Sequence, residues 1–237
     1  MTVSPPASIV ELVGASDTWQ PLGHESWLTD GHVLYRCDSP ADAAALTVAI
    51  AADQTTWSDV ALAIDEWLVT VRPLGQGADR PERHGEIGGL AELAGQELRR
   101  IHSQPLDDRP ARGWSSVASR VQSSQVDPAT LAEPFCRYDR DRLIELWSEG
   151  RPSSESLVVC HGQPRLEHLL VDAGSVTGWL EPRHTVVADR HLDLAIAHRS
   201  IQTCLGNDAV FRFYEAYGQD PSLPSLEHYL LADLLLP

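Results

Sequence analysis

A chain of 237 residues, 43% hydrophobic and 22% charged, has the composition of an ordinary globular protein and enough length to bury a sizeable core. Its 18 basic against 34 acidic residues give a formal charge of −16, which argues against nucleic acid or anionic lipid as partners and favours a small, cationic ligand. All 18 basic residues are arginine, so any chemistry that needs a lysine amine is excluded.

The residues at the two ends do not lead one to expect secretion or membrane insertion. "MTVSPPASIVELVG" lacks a basic leader and has Glu11 inside its apolar patch; "YLLADLLLP" is too short to cross a bilayer and is interrupted by Asp233. A cytoplasmic location is the expectation. Cys37, Cys136, Cys160 and Cys204 show no C-x-x-C spacing and read as free thiols, and the ten histidines form no metal-ligand pair.

In chain order, the apolar pieces "SIVELVG", "HVLYRC", "VALAI" and "EWLVTV" are rich in β-branched and aromatic residues and predict strands. Between them Ser39-Pro40 opens the Ala-rich "SPADAAALTVAIAA", an N-cap and first-turn proline that predict a short helix. Gly14-Ala15-Ser16 is a candidate for a phosphate-cradling loop. Arg72 to Glu86, "RPLGQGADRPERHGE", concentrates Gly, Pro and charge and marks a connector. Beyond it, Ile87, Leu90, Leu93, Ala94, Leu98 and Ile101 recur at helical spacing, ending in Arg99 and Arg100 at the negative end of the helix dipole. Further helices are predicted in "DRDRLIELWSEG" (Asp139 as cap, Gly150 as stop), "HLDLAIAHRSIQTC", "NDAVFRFYEAYG" and "SLEHYLLADLLL". Among these helices lie three short strands, "SLVVC", "HLLVD" and "VTGWL", the last two joined through Asp172-Ala173-Gly174-Ser175, a hairpin turn.

The chemistry is sought in "CHGQPRLEH", Cys160 to His168, which lies between two of these strands. Protein kinases space a base Asp and a metal-binding Asn as H-x-D-x-x-x-x-N. Here the same window holds His161, Gln163 and His168. The run "LVVCHGQPRLEHLLVDAGSVTGWLEPRHTVVADRHLDLAIAHRSI" resembles the catalytic loop, hairpin, metal-binding segment and following helix of the aminoglycoside phosphotransferase family, nearest to its 3′-phosphotransferase branch. "ELRRIHS", "YLLADLLL" and the hinge-like "EWLVTVRPLGQG" extend the resemblance. It implies an α+β, protein-kinase-like two-lobed fold: a reduced β-rich N-lobe over residues 1–72 and a mainly helical C-lobe over 73–237.

Position by position, the resemblance puts the family's catalytic Asp on Gln163, whose amide has no basic electron pair, and its metal-binding Asn on His168, a poor partner for Mg²⁺. The second metal ligand falls on Glu181, with Arg183 beside it, and the nucleotide-positioning Lys falls nearest Arg36. No Glu lies between Cys37 and Ile64 to form that lysine's helix partner. His161 matches the loop's usual histidine, and Asp193 in "DRHLDLA" matches an Asp that braces the loop. Asp189 and Arg190 match the family's "ADR". Asp233 matches an acidic position of the substrate pocket, with Arg190, Asp127 and Glu133 as further substrate-side candidates, while Leu234 replaces a usually acidic residue. The reading this supports is a degenerate, pseudokinase-like member that keeps a small-molecule pocket. Two alternatives stay open: an active ATP-dependent phosphotransferase, the only case that requires ATP and Mg²⁺, and altered chemistry built from His161, Gln163, Arg165, His168, Glu181 and His184.

Overall fold

A computed structural model describes residues 7–13, 20–23, 25–29, 31–52, 60–81, 87–106, 114–131 and 133–236. Its elements in the first half are α1 (Ala7–Val13), β1 (Gln20–Gly23), β2 (Ser26–Leu28), β3 (His32–Arg36), α2 (Pro40–Ala52), β4 (Val60–Ile64), β5 (Trp67–Val71) and β6 (Gln76–Gly77). Then come α3 (Ile87–His102), α4 (Trp114–Gln122), α5 (Arg140–Glu149), β7 (Leu157–Cys160), β8 (Leu169–Asp172), β9 (Ser175–Trp179), β10 (Val186–Asp189), α6 (Arg190–Leu205), α7 (Asn207–Tyr217) and α8 (Leu223–Leu235). The chain divides into two compact units, Met1–Gly77 with His168–His184, and Ala78–Glu167 with Thr185–Pro237.

The first unit is built on an antiparallel sheet in the order β1-β2-β3-β5-β4. Val33, Leu34 and Tyr35 of the central β3 are all buried, as expected of a strand covered on both faces. "SIVELV", predicted as a strand, is instead helix α1. Its apolar residues come as Ile9-Val10 and Leu12-Val13 around Glu11, a three-and-four repeat rather than an alternation, and helical period prevails over β-branched content. Ile9 packs among Trp27, Leu34, Trp67 and Val69. The predicted start of α2 is present: Ser39 Oγ accepts the Asp42 N–H at 3.2 Å and donates to the Asp42 carboxylate at 2.6 Å. A smaller antiparallel sheet, β6-β8-β9, completes the unit. Its β8–β9 turn pairs Asp172 with Ser175 and places Ala173 and Gly174 at φ of +47° and +78°, the left-handed pair that a two-residue hairpin requires.

In the second unit α3 buries Leu90, Ala94, Leu98 and Ile101. It lies so close to α7 that a Cβ on Gly95 would stand 2.4 Å from the Phe213 carbonyl oxygen, so only glycine fits there. Asp139 caps α5 through the Arg142 N–H at 2.8 Å, and Gly150 ends it. Val121, Leu143, Trp147, Leu231, Ala232 and Leu235 form a core joining α4, α5 and α8. β7 and β10 pair antiparallel, and the latter, like α4, was not marked by the sequence pattern. No helix among the described residues is long and apolar enough to cross a membrane.

Candidate functional site

Both units carry polar clusters among the described residues. In the helical unit, β7 delivers the loop beginning at His161. Asp193, fully buried in the first turn of α6, accepts the His161 N–H on Oδ2 at 2.6 Å and the Gly162 N–H on Oδ1 at 2.8 Å. Behind it, His102 Nε2 lies 3.1 Å from the same Oδ2, and His102 Nδ1 lies 2.9 Å from the Tyr217 hydroxyl. A charged acceptor with two backbone donors and a ring partner fixes the backbone path of the loop. Gly162 takes φ of +85°, which favours glycine, and the Gln163 N–H donates to His161 Nδ1 at 3.2 Å.

His102, Cys160 and Asp193 bring three ligand-type atoms within 4.8 Å of one another, yet they do not suit a metal ion. Both Asp193 oxygens already serve the loop amides. Burial, and then the neighbouring Asp193 charge, push the Cys160 thiol well above its usual range. The cluster is a brace.

Asp189 caps α6, accepting the His191 N–H and ring Nδ1 at 2.8 and 2.7 Å and the Ser156 N–H at 2.6 Å. Burial works to raise its carboxyl, but these hydrogen bonds prevail and hold it below the usual value. Arg190 binds the Gln219 side chain. Asp233, 7% exposed, meets two guanidinium groups: Arg165 Nη2 at 3.3 Å and Arg199 Nη2 at 2.6 Å. Asp127 and Glu133 are exposed and locally engaged, Asp127 accepting the Ala129 N–H at 3.0 Å and Glu133 pairing with Arg137.

In the sheet unit the centre is Glu181, 5% exposed, at φ of +62° just past β9. Its Oε1 accepts the Ser26 hydroxyl at 2.8 Å and its Oε2 accepts Arg183 Nε at 2.7 Å, with His184 Nε2 at 3.5 Å. Its own N–H donates to the Tyr35 hydroxyl at 3.2 Å. Burial alone would raise the carboxyl, but the His184 contact and the Arg183 charge and hydrogen bond outweigh it and bring it down to about 2. Arg183 also donates to the Arg36 carbonyl at 3.2 Å and lies 3.6 Å from Glu25. Arg36, on β3, pairs with Glu25 at 3.4 Å and Glu66 at 3.8 Å.

The expected site residues thus fall in both units: His161, Gln163, Arg190, Asp193 and Asp233 in the helical one, Arg36, His168, Glu181 and His184 in the sheet one. Gly14-Ala15-Ser16 lies outside the described residues. Within the sheet unit, Glu181, the residue the resemblance assigns to metal, is already paired with the Arg183 guanidinium at 2.7 Å. Sequence reasoning did not mark Ser26, His102, Arg199 or Tyr217.

A small antiparallel sheet unit with a mainly helical one is the fold of kinase-like phosphotransferases. It superposes with TM-score 0.76 on the crystal structure of an aminoglycoside-3′-phosphotransferase of type VIII, at 23% identity and covering 92% of this chain and 93% of that one. A Streptomyces rimosus aminoglycoside phosphotransferase matches with TM-score 0.77 at 20% identity over 97% and 96% of the two chains, and that enzyme has also been solved with ADP and streptomycin. The profile described as "Phosphotransferase enzyme family" matches residues 38–229, and the chain belongs to that family. Aminoglycoside 3′-phosphotransferases of Streptomyces fradiae and Niallia circulans are 35% and 31% identical over 64% and 56% of this chain. The matches span 61% and 49% of the length of those two relatives.

Proposed function

We propose that this chain is a disarmed member of the phosphotransferase family, one that keeps a small-molecule pocket in its helical unit and has lost conventional phosphoryl transfer. The observation that carries this reading is the state of Glu181. The carboxylate that the family resemblance assigns to metal is held by Ser26, Arg183 and His184, and a cation entering there would have to displace a partly buried guanidinium. Other features point the same way. Gln163, at the position of the family's base, cannot accept a proton near neutral pH, and losing a positioned base costs about 10²–10⁴-fold in rate. The chain has no lysine for the nucleotide phosphates, and Arg36 is engaged with Glu25 and Glu66. Altered acid-base chemistry gains little support, because a carboxyl held at about 2 is not a proton donor near pH 7. ATP and Mg²⁺ are therefore not required cofactors of this reading.

The test is ADP release by the purified chain with ATP, Mg²⁺ and either kanamycin or streptomycin. The expected rate equals that without acceptor. Turnover in the usual kinase range, about 1–100 s⁻¹, overturns the reading.

A further inference from the structure

The acidic composition and the family resemblance both point to a cationic ligand, but the arrangement around Asp233 opposes it. Asp233 on α8 is the carboxylate that the resemblance places in the substrate pocket. One of its oxygens is met by Arg165 from the loop after β7, the other by Arg199 from α6, at 3.3 and 2.6 Å. An ammonium group arriving at this carboxylate would find one oxygen hydrogen-bonded by Arg165, the other in ion-pair contact with Arg199, and two like charges beside them. Like charges in such contact cost several kcal/mol against the wrong partner.

The same three residues suit a ligand of opposite sign. Two guanidinium groups on one carboxylate leave one uncompensated positive charge, and the Asp233 side chain that neutralises the rest is only 3% exposed. The two arginine side chains are 27% and 31% exposed, so each presents part of its group to solvent. Arg165 spends donors on Asp233 and on Gln163 Oε1 at 3.5 Å, and Arg199 is held to Asp233 by an ion pair, out of the five N–H donors each guanidinium carries. Two planar forks fixed by a shared buried carboxylate, with donors to spare, are an arrangement for an oxyanion. The overall charge of −16 does not override this, because exposed charges beyond about 8 Å are largely screened at physiological ionic strength.

Building on the disarmed-pocket reading above, we infer that the helical unit binds a small hydroxylated molecule bearing an oxyanion, a carboxylate or a phosphate monoester, on Arg165 and Arg199, and does not bind polycationic aminoglycosides there. Arg165 is the specificity determinant: its guanidinium occupies the carboxylate that an ammonium group would otherwise need.

Calorimetric titration of the full chain with D-glucuronate, D-glucose 6-phosphate, D-glucose and kanamycin tests this. Saturable binding of either anion, with none for glucose or kanamycin, is the expected result; glucuronate alone assigns a carboxylate, and the phosphate ester alone assigns a phosphate. Arg165→Met weakens the anion about tenfold or more, the size of one lost charge-assisted hydrogen bond, while Arg199 still pairs Asp233. Asp233→Asn acts in the opposite direction and tightens it, since the competing carboxylate is gone. Binding of kanamycin, failure of both anions to bind, or an anion affinity unchanged in Arg165→Met overturns the inference. ATP-dependent phosphorylation of a bound anion would overturn the disarmed reading instead and leave the anion site standing.

Discussion

Replacing Glu181 by Gln isolates the charge at the centre of the sheet unit while keeping the side chain's shape and an oxygen for the Ser26 hydroxyl. The carboxyl is brought from 4.5 to about 2, which corresponds to about 3 kcal/mol of preference for its ionised form in the folded protein. The group is 5% exposed, so solvent screening takes little of this away. Because the folded-state value is depressed, the stabilisation is complete above the unfolded value and is lost as pH falls through the interval from 4.5 to about 2. Wild type should therefore exceed Glu181→Gln by about 3 kcal/mol in urea unfolding at pH 7. That gap should shrink by about 2 kcal/mol by pH 3, with equal m-values. The other carboxyl groups titrate in both proteins and cancel in the difference. A gap below about 0.5 kcal/mol at pH 7, or one that does not change between pH 7 and pH 3, would refute the claim that Arg183 and His184 hold Glu181 ionised.

Asp193→Ala removes the acceptor of two loop amides and the partner of His102, and should cost about 3–5 kcal/mol in urea unfolding; a loss under about 1 kcal/mol would mean the loop does not depend on it. Gly95→Ala pushes a methyl group against the Phe213 carbonyl and should lower stability by about 1–3 kcal/mol by the same measurement, whereas a neutral result would contradict the close α3–α7 contact. Gln163→Asp combined with His168→Asn should leave ADP release at background, because Glu181 stays bound to Arg183 and the chain still has no lysine. A rise of about 10²-fold or more would show that these two positions alone silence the protein.

Much of the fold could be read from the sequence where a local rule carried it. The 3.6 periodicity of α3, the Asp139 cap and Gly150 stop of α5, and the Ala173-Gly174 turn all encode their conformation within a few residues. "SIVELV" failed because β-branched content competed with a helical repeat and the repeat prevailed once Ile9 had a core to enter. The site was less legible for a different reason. Motif spacing brings Gln163, His168 and Glu181 to attention, but what a side chain does there depends on partners far away in sequence. Ser26 reaches Glu181 across 155 positions, Arg165 reaches Asp233 across 68, and His102 reaches Asp193 across 91. No spacing rule records such pairs. The acidic total points to a cationic ligand, and the anion site proposed on Arg165 and Arg199 departs from it because that proposal weighs only the few charges within a Debye length of Asp233.

The most direct test of the disarmed reading is the thermal midpoint of the purified chain with ATP plus Mg²⁺ and with ATP alone, each at millimolar concentration. A ligand that binds only the folded form must raise the midpoint by mass action. The account predicts no rise that depends on Mg²⁺. A saturable rise with ATP that grows when Mg²⁺ is added would contradict it, because it would mean that Glu181 leaves Arg183 to hold a metal and that a nucleotide site operates without lysine.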